Sequence, residues 1–262
     1  MTLTILNRAN TKLKTLMAAT TLGLSMTALS MTVLSMSVVT TNLYADAYKP
    51  EQKTQTMNSL TTSSSEVDQV QSMKNRLLNI QRQWAIVNYR TEGDSKEGAF
   101  EGLIRQVDQL AGDFPKRAEP KVWQGIIRST YAGAVGGLSA LSYVKDARDY
   151  LITAMSIDET VLEGSVYTSL ASLYAKVPGW PIGFGDSDKA RQMFQQALTI
   201  NPNGLDPNYF YGEFLFEEGE YQLAIEALNK ALTAPKRNER PIADEERRKE
   251  IKHLLGRVKQ AI

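Results

Sequence analysis

Two stretches of this sequence hold the side chains with the most chemistry to offer. The first is a run of aromatics, Tyr209-Phe210-Tyr211-x-x-Phe214-x-Phe216, interleaved with Glu213 and Glu217 and preceded by Asp206. At the helical period Tyr209, Glu213, Phe216 and Glu217 fall on one side, with Tyr211, Phe214 and Leu215 turned to another. Aromatic anchors flanked by carboxylates suit recognition of a protein segment, because a few such residues carry most of the affinity in contacts of that kind. The second stretch is Val177–Asp186, VPGWPIGFGD, where two prolines and three glycines impose tight backbone geometry around Trp180 and Phe184. Trp180 and Phe184 either fold back to plug the neighbouring helices or form a rigid aromatic lip of a binding site. Gly183-Phe184-Gly185 lacks the third glycine and the preceding strand of a phosphate loop.

Bond-making chemistry finds little to work with. The chain has no Cys and a single His, His253, beside Lys252 with neither a nucleophile nor an acid adjacent to it. Thiolate nucleophiles, disulfides and Cys-based zinc sites are excluded together, and imidazole metal sites are starved of ligands. No G-x-S-x-G, H-E-x-x-H or P-loop pattern occurs, and neighbours such as Glu217-Glu218 are ordinary on helices. The expectation is a non-enzyme with no catalytic residue, cofactor or metal. With 30 Lys+Arg against 29 Asp+Glu, the formal charge of +1 gives no global attraction for nucleic acid.

What must position the two stretches is mostly helix. Residues 1–47 read as a cleavable export signal: Arg8, Lys12 and Lys14 precede an uncharged run from Thr15 to Ala45, and Ala45-Asp46-Ala47 is a small-x-small cleavage pattern. Cleavage is expected after Ala47 or Ala45, leaving a nearly neutral exported chain with no stable membrane insertion. An uncleaved inner-membrane anchor is the alternative, since the 24 residues from Leu16 to Val39 are long enough to span a bilayer. Eight Ser/Thr in that run argue for cleavage. Residues 48–65 are polar and Ser/Thr-rich and are expected to be a flexible linker. From 66 to 262 apolar residues recur in steps of three and four, predicting nine helices at about 66–90, 96–112, 120–135, 138–156, 160–176, 187–200, 206–218, 220–233 and 243–260.

These helices repeat. Ala190, Phe194, Ala197 and Pro202 stand at steps of +4, +7 and +12, and 34 residues after Ala190 come Ala224, Leu228 and Ala231. Tyr211-Gly212, Leu215, Gly219 and Tyr221 supply the large, small, large, turn-glycine and aromatic positions of a preceding helix. Ala147, Leu151 and Ala154 repeat the steps more loosely. Small residues at such positions let helix axes approach closely. The connection between Ala171 and Ala190 is seven residues longer than that between Gly212 and Ala224, so the Trp180 hairpin turn has grown. Asp186 is placed to cap the helix that follows it, and Asp206-Pro207 to open the next. The charged helix near the C-terminus, with Glu245-Glu246-Arg247-Arg248-Lys249-Glu250, reads as a solvated cap, and Lys236, Arg237 and Arg240 as a basic loop that an acidic partner could meet.

On these residues the chain resembles tetratricopeptide-repeat proteins, best over 164–202 and 205–236. The stretch Gly164–Gly212, with VPGWPIGFGD and INPNGLDPNYFYG, is similar to bacterial periplasmic repeat proteins related to the T-component of TRAP transporters. The resemblance implies a right-handed all-α solenoid of helical hairpins with a C-terminal capping helix. It further implies a concave groove that binds a periplasmic protein, such as a solute-binding protein, through Tyr209, Glu213, Phe216 and Glu217, with Trp180 and Phe184 at its edge. A neighbouring helix covering those groove residues is the competing arrangement, and an apolar ligand carried in the bore of the solenoid is the competing function. The oligomeric state is left open.

Overall fold

A computed structural model describes residues 52–93 and 95–262; the expected export signal, 1–47, and residues 48–51 lie outside the described residues. Those described contain nine helices and no strand: α1 Gln52–Arg90, α2 Ser95–Asp113, α3 Ala118–Val135, α4 Ala140–Ile157, α5 Val161–Lys176, α6 Ser187–Ile200, α7 Leu205–Glu217, α8 Tyr221–Thr233 and α9 Pro241–Ala261. The fold is an all-α solenoid, as the periodicity predicts. One boundary differs. Residues 52–65, expected as linker, belong to α1. Neither proline nor glycine interrupts Gln52–Glu92, and the polarity of 52–65 argues against a buried face, not against helical backbone.

Consecutive helices pack most densely as the pairs α3/α4, α5/α6 and α7/α8, each closed by small residues. A Cβ on Gly212 would lie 2.7 Å from Leu228 Cγ, and a Cβ on Gly125 would lie 2.6 Å from Leu151 Cγ and 3.0 Å from the Ala147 carbonyl. Gly125, Ala147, Leu151 and Ala154 therefore repeat the arrangement of Gly212, Ala224, Leu228 and Ala231, and Ala171, Ala190, Phe194 and Ala197 supply the middle copy. All but Gly125 and Gly212 stand in one apolar core, where most are fully buried. A second core joins α1, α2 and α3 through larger side chains: Met73, Leu77, Trp84, Phe100, Leu103, Trp123 and Tyr131, with the Trp84 and Trp123 rings edge-on at 5.6 Å.

The helix ends follow local chemistry. Asp186 caps α6, its Oδ1 accepting from Lys189 N at 3.0 Å. Gly219 turns the chain between α7 and α8 at φ 81°, in the left-handed region that glycine enters without a Cβ penalty. Asp206 does not cap α7. The helix starts at Leu205, with Gly204 in the N-cap position, and the carboxylate points elsewhere.

Candidate functional site

Asp206 stands in the first turn of α7, where helix geometry places it beside Tyr209 and Phe210. Its Oδ2 accepts from Arg237 Nη1 at 2.6 Å and its Oδ1 from Arg247 Nε at 3.1 Å. The Arg247 guanidinium carbon lies near two rings that meet edge-on, 4.4 Å from the Tyr209 centroid and 4.5 Å from that of Phe210, and its Nη1 donates to Glu250 Oε2 at 2.7 Å. Arg237 also binds Asp244, at 2.6 Å through Nε. Arginine suits this place because its planar fork bonds a carboxylate in the same plane that stacks on aromatic rings.

The electrostatics follow. Burial alone would raise the Asp206 carboxyl, but the charges of Arg237, Arg247 and Arg240 outweigh it and hold the group well below the usual carboxylate range. Burial pushes the Tyr209 phenol up, with Glu213 adding to the shift. Burial likewise raises Tyr89, to about 12, and raises Glu250 despite Arg247. Glu217 is also raised, chiefly by desolvation.

α9 keeps a solvated outer face at Glu245 and Lys249, but its inner face is charged as well as apolar. Arg247, read in the sequence as part of a mixed-charge outer face, is 8% exposed. Arg237 and Arg240, read as a solvated basic loop or a patch for an acidic partner, are occupied within the chain: Arg237 by Asp206 and Asp244, Arg240 by the Trp123 ring at 5.1 Å. α9 also reaches α1. Tyr89 OH donates to Glu250 Oε2 at 3.5 Å, Arg90 pairs with Glu246 at 3.5 Å, and Arg82 Nε donates to the Glu239 carbonyl at 2.9 Å on the segment leading into α9. The sequence signal for this was present but silent. Arginines spaced through a charged run look alike whether they face water or a carboxylate on another helix.

Tyr209, expected to line an open groove, is 7% exposed because α9 lies across it. Glu213 pairs with Lys176 at 2.7 Å. Phe216 is half-buried against Tyr221, with the Arg257 guanidinium 4.9 Å above it, and Glu217 is exposed. A cleft of about 310 Å³ remains between α7 and α9, lined by Tyr209, Glu213, Lys249, Glu250, His253 and Arg257. A broader, shallower one of about 730 Å³ runs between α4 and α6 past Met155, Tyr167 and Met193, with no charged cluster to fix a ligand.

The Trp180 segment splits into two parts. Phe184 folds back, edge-on to Tyr174 at 5.7 Å and beneath the Arg148 guanidinium at 4.6 Å, as a plug would. Trp180 instead points out at 90% exposure, with Ile182 at 61%. Between them the backbone is tied down: Gly185 N donates to the Pro178 carbonyl at 3.0 Å and Asp186 N to that of Tyr174 at 2.9 Å. A Cβ on Gly185 would fall 1.8 Å from the Val177 carbonyl oxygen, so only glycine allows this crossing. Phe184 turns toward α4 and α5, whereas Tyr209 and Phe216 face α9. Glu213 nevertheless pairs with Lys176, the last residue of α5 before the Trp180 segment.

A family model supports the repeat reading over part of the chain. A tetratricopeptide-repeat family model matches residues 182–240, which contain the hairpin α7/α8 and the helix before it. A solved structure described as "Crystal structure of MamA" shares 18% identity, covers 62% of this chain and 99% of that chain, and superposes with a TM-score of 0.28. No curated protein matches the sequence. The described residues form an all-α solenoid, with a tetratricopeptide-repeat match over residues 182–240. No helix among the described residues is long and apolar enough to cross a membrane.

Proposed function

We propose that the chain is an exported tetratricopeptide-type scaffold whose task is to hold a periplasmic protein, such as a solute-binding protein of a transport system. The observation that carries this reading is the Trp180 tip: a large aromatic at 90% exposure, with Ile182 beside it, on a backbone tied to α5 and α6 by hydrogen bonds. An exposed tryptophan on a pre-ordered loop loses little entropy on docking and is the residue type most enriched among binding hot spots. Glu213, Phe216 and Glu217 add a carboxylate-and-aromatic rim on the α7 side. The competing function, an apolar ligand in the bore, is poorly served by the α7/α9 cleft, where Glu213, Lys249, Glu250 and Arg257 present charge.

The test is affinity capture from periplasmic extract with the chain 48–262 beside its Trp180→Ala/Ile182→Ser variant. One protein retained by the wild type and lost, by about tenfold or more, from the variant supports the reading. Equal retention by both removes Trp180 from the site.

A further inference from the structure

No charged cluster lines the cleft of about 730 Å³ between α4 and α6, and its chemistry is of another kind. α4 and α6 pack on α5 from either side without packing on each other, and Tyr167 of α5 reaches the gap between them. Ile152, Met155 and Ser156 on α4, and Gln192, Gln195 and Gln196 on α6, stand at steps of three and four, so each set is one helix face turned to the cleft. The three glutamines are exposed, and their carboxamides make no hydrogen bond within the described residues. Each carboxamide offers an acceptor and two donors. That complements a peptide backbone whose own N–H and C=O groups are unpaired, as they are in an extended segment and are not in a helix. Met155 and Met193 enter from opposite walls, half-buried against the core, and thioethers adapt to apolar side chains of varied shape.

Charge selects the occupant further. Neither Lys nor Arg occurs in 149–175 or 192–229, the stretches that supply every lining residue. Glu159 is in the lining, with Asp158 before it and Glu163 four residues on. Their carboxylates bond only neutral groups. Asp158 accepts from Thr160 N and Oγ1 at 2.9 and 2.8 Å, Glu159 from the Tyr167 hydroxyl at 2.7 Å, and Glu163 from Asn201 Nδ2 at 2.9 Å. The last turns of α4 and α6 hold no basic residue either, so the partial negative charge of two helix C-termini adds to theirs.

We propose that the α4/α6 cleft binds an extended, basic segment of a protein partner. Its peptide groups bond the Gln192, Gln195 and Gln196 carboxamides, an apolar side chain sits between Met155 and Met193, and a neighbouring Lys or Arg meets Glu159. A helical occupant would leave the carboxamides without partners, and an acidic one would face three carboxylates. The site is separate from the Trp180 tip: its walls are the C-terminal part of α4 and the middle of α6, whereas the tip leads into the N-terminus of α6.

The probe is a display library of random short peptides, screened on the chain 48–262 with the Gln192→Ala/Gln196→Ala chain as counter-screen. Peptides enriched on the wild type should pair Lys or Arg with an apolar residue and should tolerate proline. The consensus peptide, synthesised with a fluorophore, should lose affinity for the wild type as salt is added and bind Glu159→Gln about three- to tenfold more weakly. Glutamine keeps an acceptor for the Tyr167 hydroxyl, so the melt of that variant should be unchanged. Should it melt lower, a peptide with norleucine in place of its Lys or Arg reads the same contact and should show the same loss. Isotope-labelled methyls of Met155 and Met193 should shift when the peptide is added, while that of Met73, buried in the other core, stays. The proposal is overturned by a screen that enriches nothing, by a helical or acidic consensus, by equal binding once either charge is removed, or by a peptide that leaves both cleft methyls unmoved. It is overturned too if the wild-type chain self-associates and Gln192→Ala/Gln196→Ala makes it monomeric, because the cleft then serves a second copy of this chain. The Trp180→Ala/Ile182→Ser chain should bind the consensus peptide as the wild type does, which keeps this result separate from the capture experiment.

Discussion

The two apolar cores of this chain are built on opposite principles. In the one uniting α1, α2 and α3, bulk fills the space: Phe100, Trp84, Trp123 and Tyr131 meet ring against ring. In the one running through α3–α9, closeness does the work: Ala147, Ala171, Ala190, Ala224 and Ala231 let helices approach, and at Gly125 and Gly212 even a Cβ would collide. The first is sensitive to losing atoms and the second to gaining them. Only the second repeats, because close approach demands a small residue at a fixed helical step, whereas a bulky core can be filled by many different residues.

The largest effect expected is in the bulky core. Phe100→Ala should lower stability by about 3–5 kcal/mol through lost burial and a cavity, and thermal melts would register about 6–20 °C. A far smaller loss would mean that this core relaxes to close the void. Adding bulk in the close-packed core, by Ala224→Leu, should cost about 1–3 kcal/mol, while a melt unchanged by it would remove close approach as the reason for alanine there.

The seat of α9 adds charge to apolar packing: Ile251, Leu254 and Val258 join the core, while Asp206 holds Arg237 and Arg247. Replacing Asp206 with Asn should cost about 1–3 kcal/mol at neutral pH by leaving Arg237 and Arg247 short of a charged acceptor. The sign with pH is fixed by the direction of the shift. The folded Asp206 carboxyl is held below its ordinary 3.8, so its contribution is fully present above that value and is lost as pH falls through the folded one. The difference between wild type and Asp206→Asn in urea melts should therefore be constant from neutral pH to about 5 and shrink below 3.8. Glu217 and Glu250, both raised by desolvation, act with the opposite sign, which is why the paired comparison is the readout. A constant difference down to pH 2 would place the Asp206 contribution outside charge.

The smallest effect on the fold is expected at Trp180. At 90% exposure it should leave the melting temperature unchanged when replaced by Ala, and a clear drop would show that the tip braces the α5–α6 connection.

Much of this was legible along the chain. The steps from Ala190 to Ala197 and from Ala224 to Ala231 announce helix pairs before any coordinate, and Asp186 announces the cap of α6. Gly125 escaped notice because 22 residues separate it from Ala147, against 12 between Gly212 and Ala224. The Gly136-Gly137 turn stretches that hairpin and hides its register. The choice between an open and a covered face at Tyr209 was left open for a related reason. The face of Tyr209 is read correctly as distinct from that of Tyr211 and Phe214, but whether it meets water or another helix depends on where α9 returns.

The sequence by itself determined the helices, their pairing and the small residues between them, because each rests on local propensity or on contacts between neighbours in the chain. Tertiary structure alone decided that Arg247 is buried against Asp206, that α9 bridges α7 and α1, and that Phe184 turns inward while Trp180 stays out. Those outcomes depend on segments up to about 160 residues apart meeting. An arginine carries no mark of whether its carboxylate will be water-separated or 3.1 Å away until the solenoid has curved enough to bring the two together.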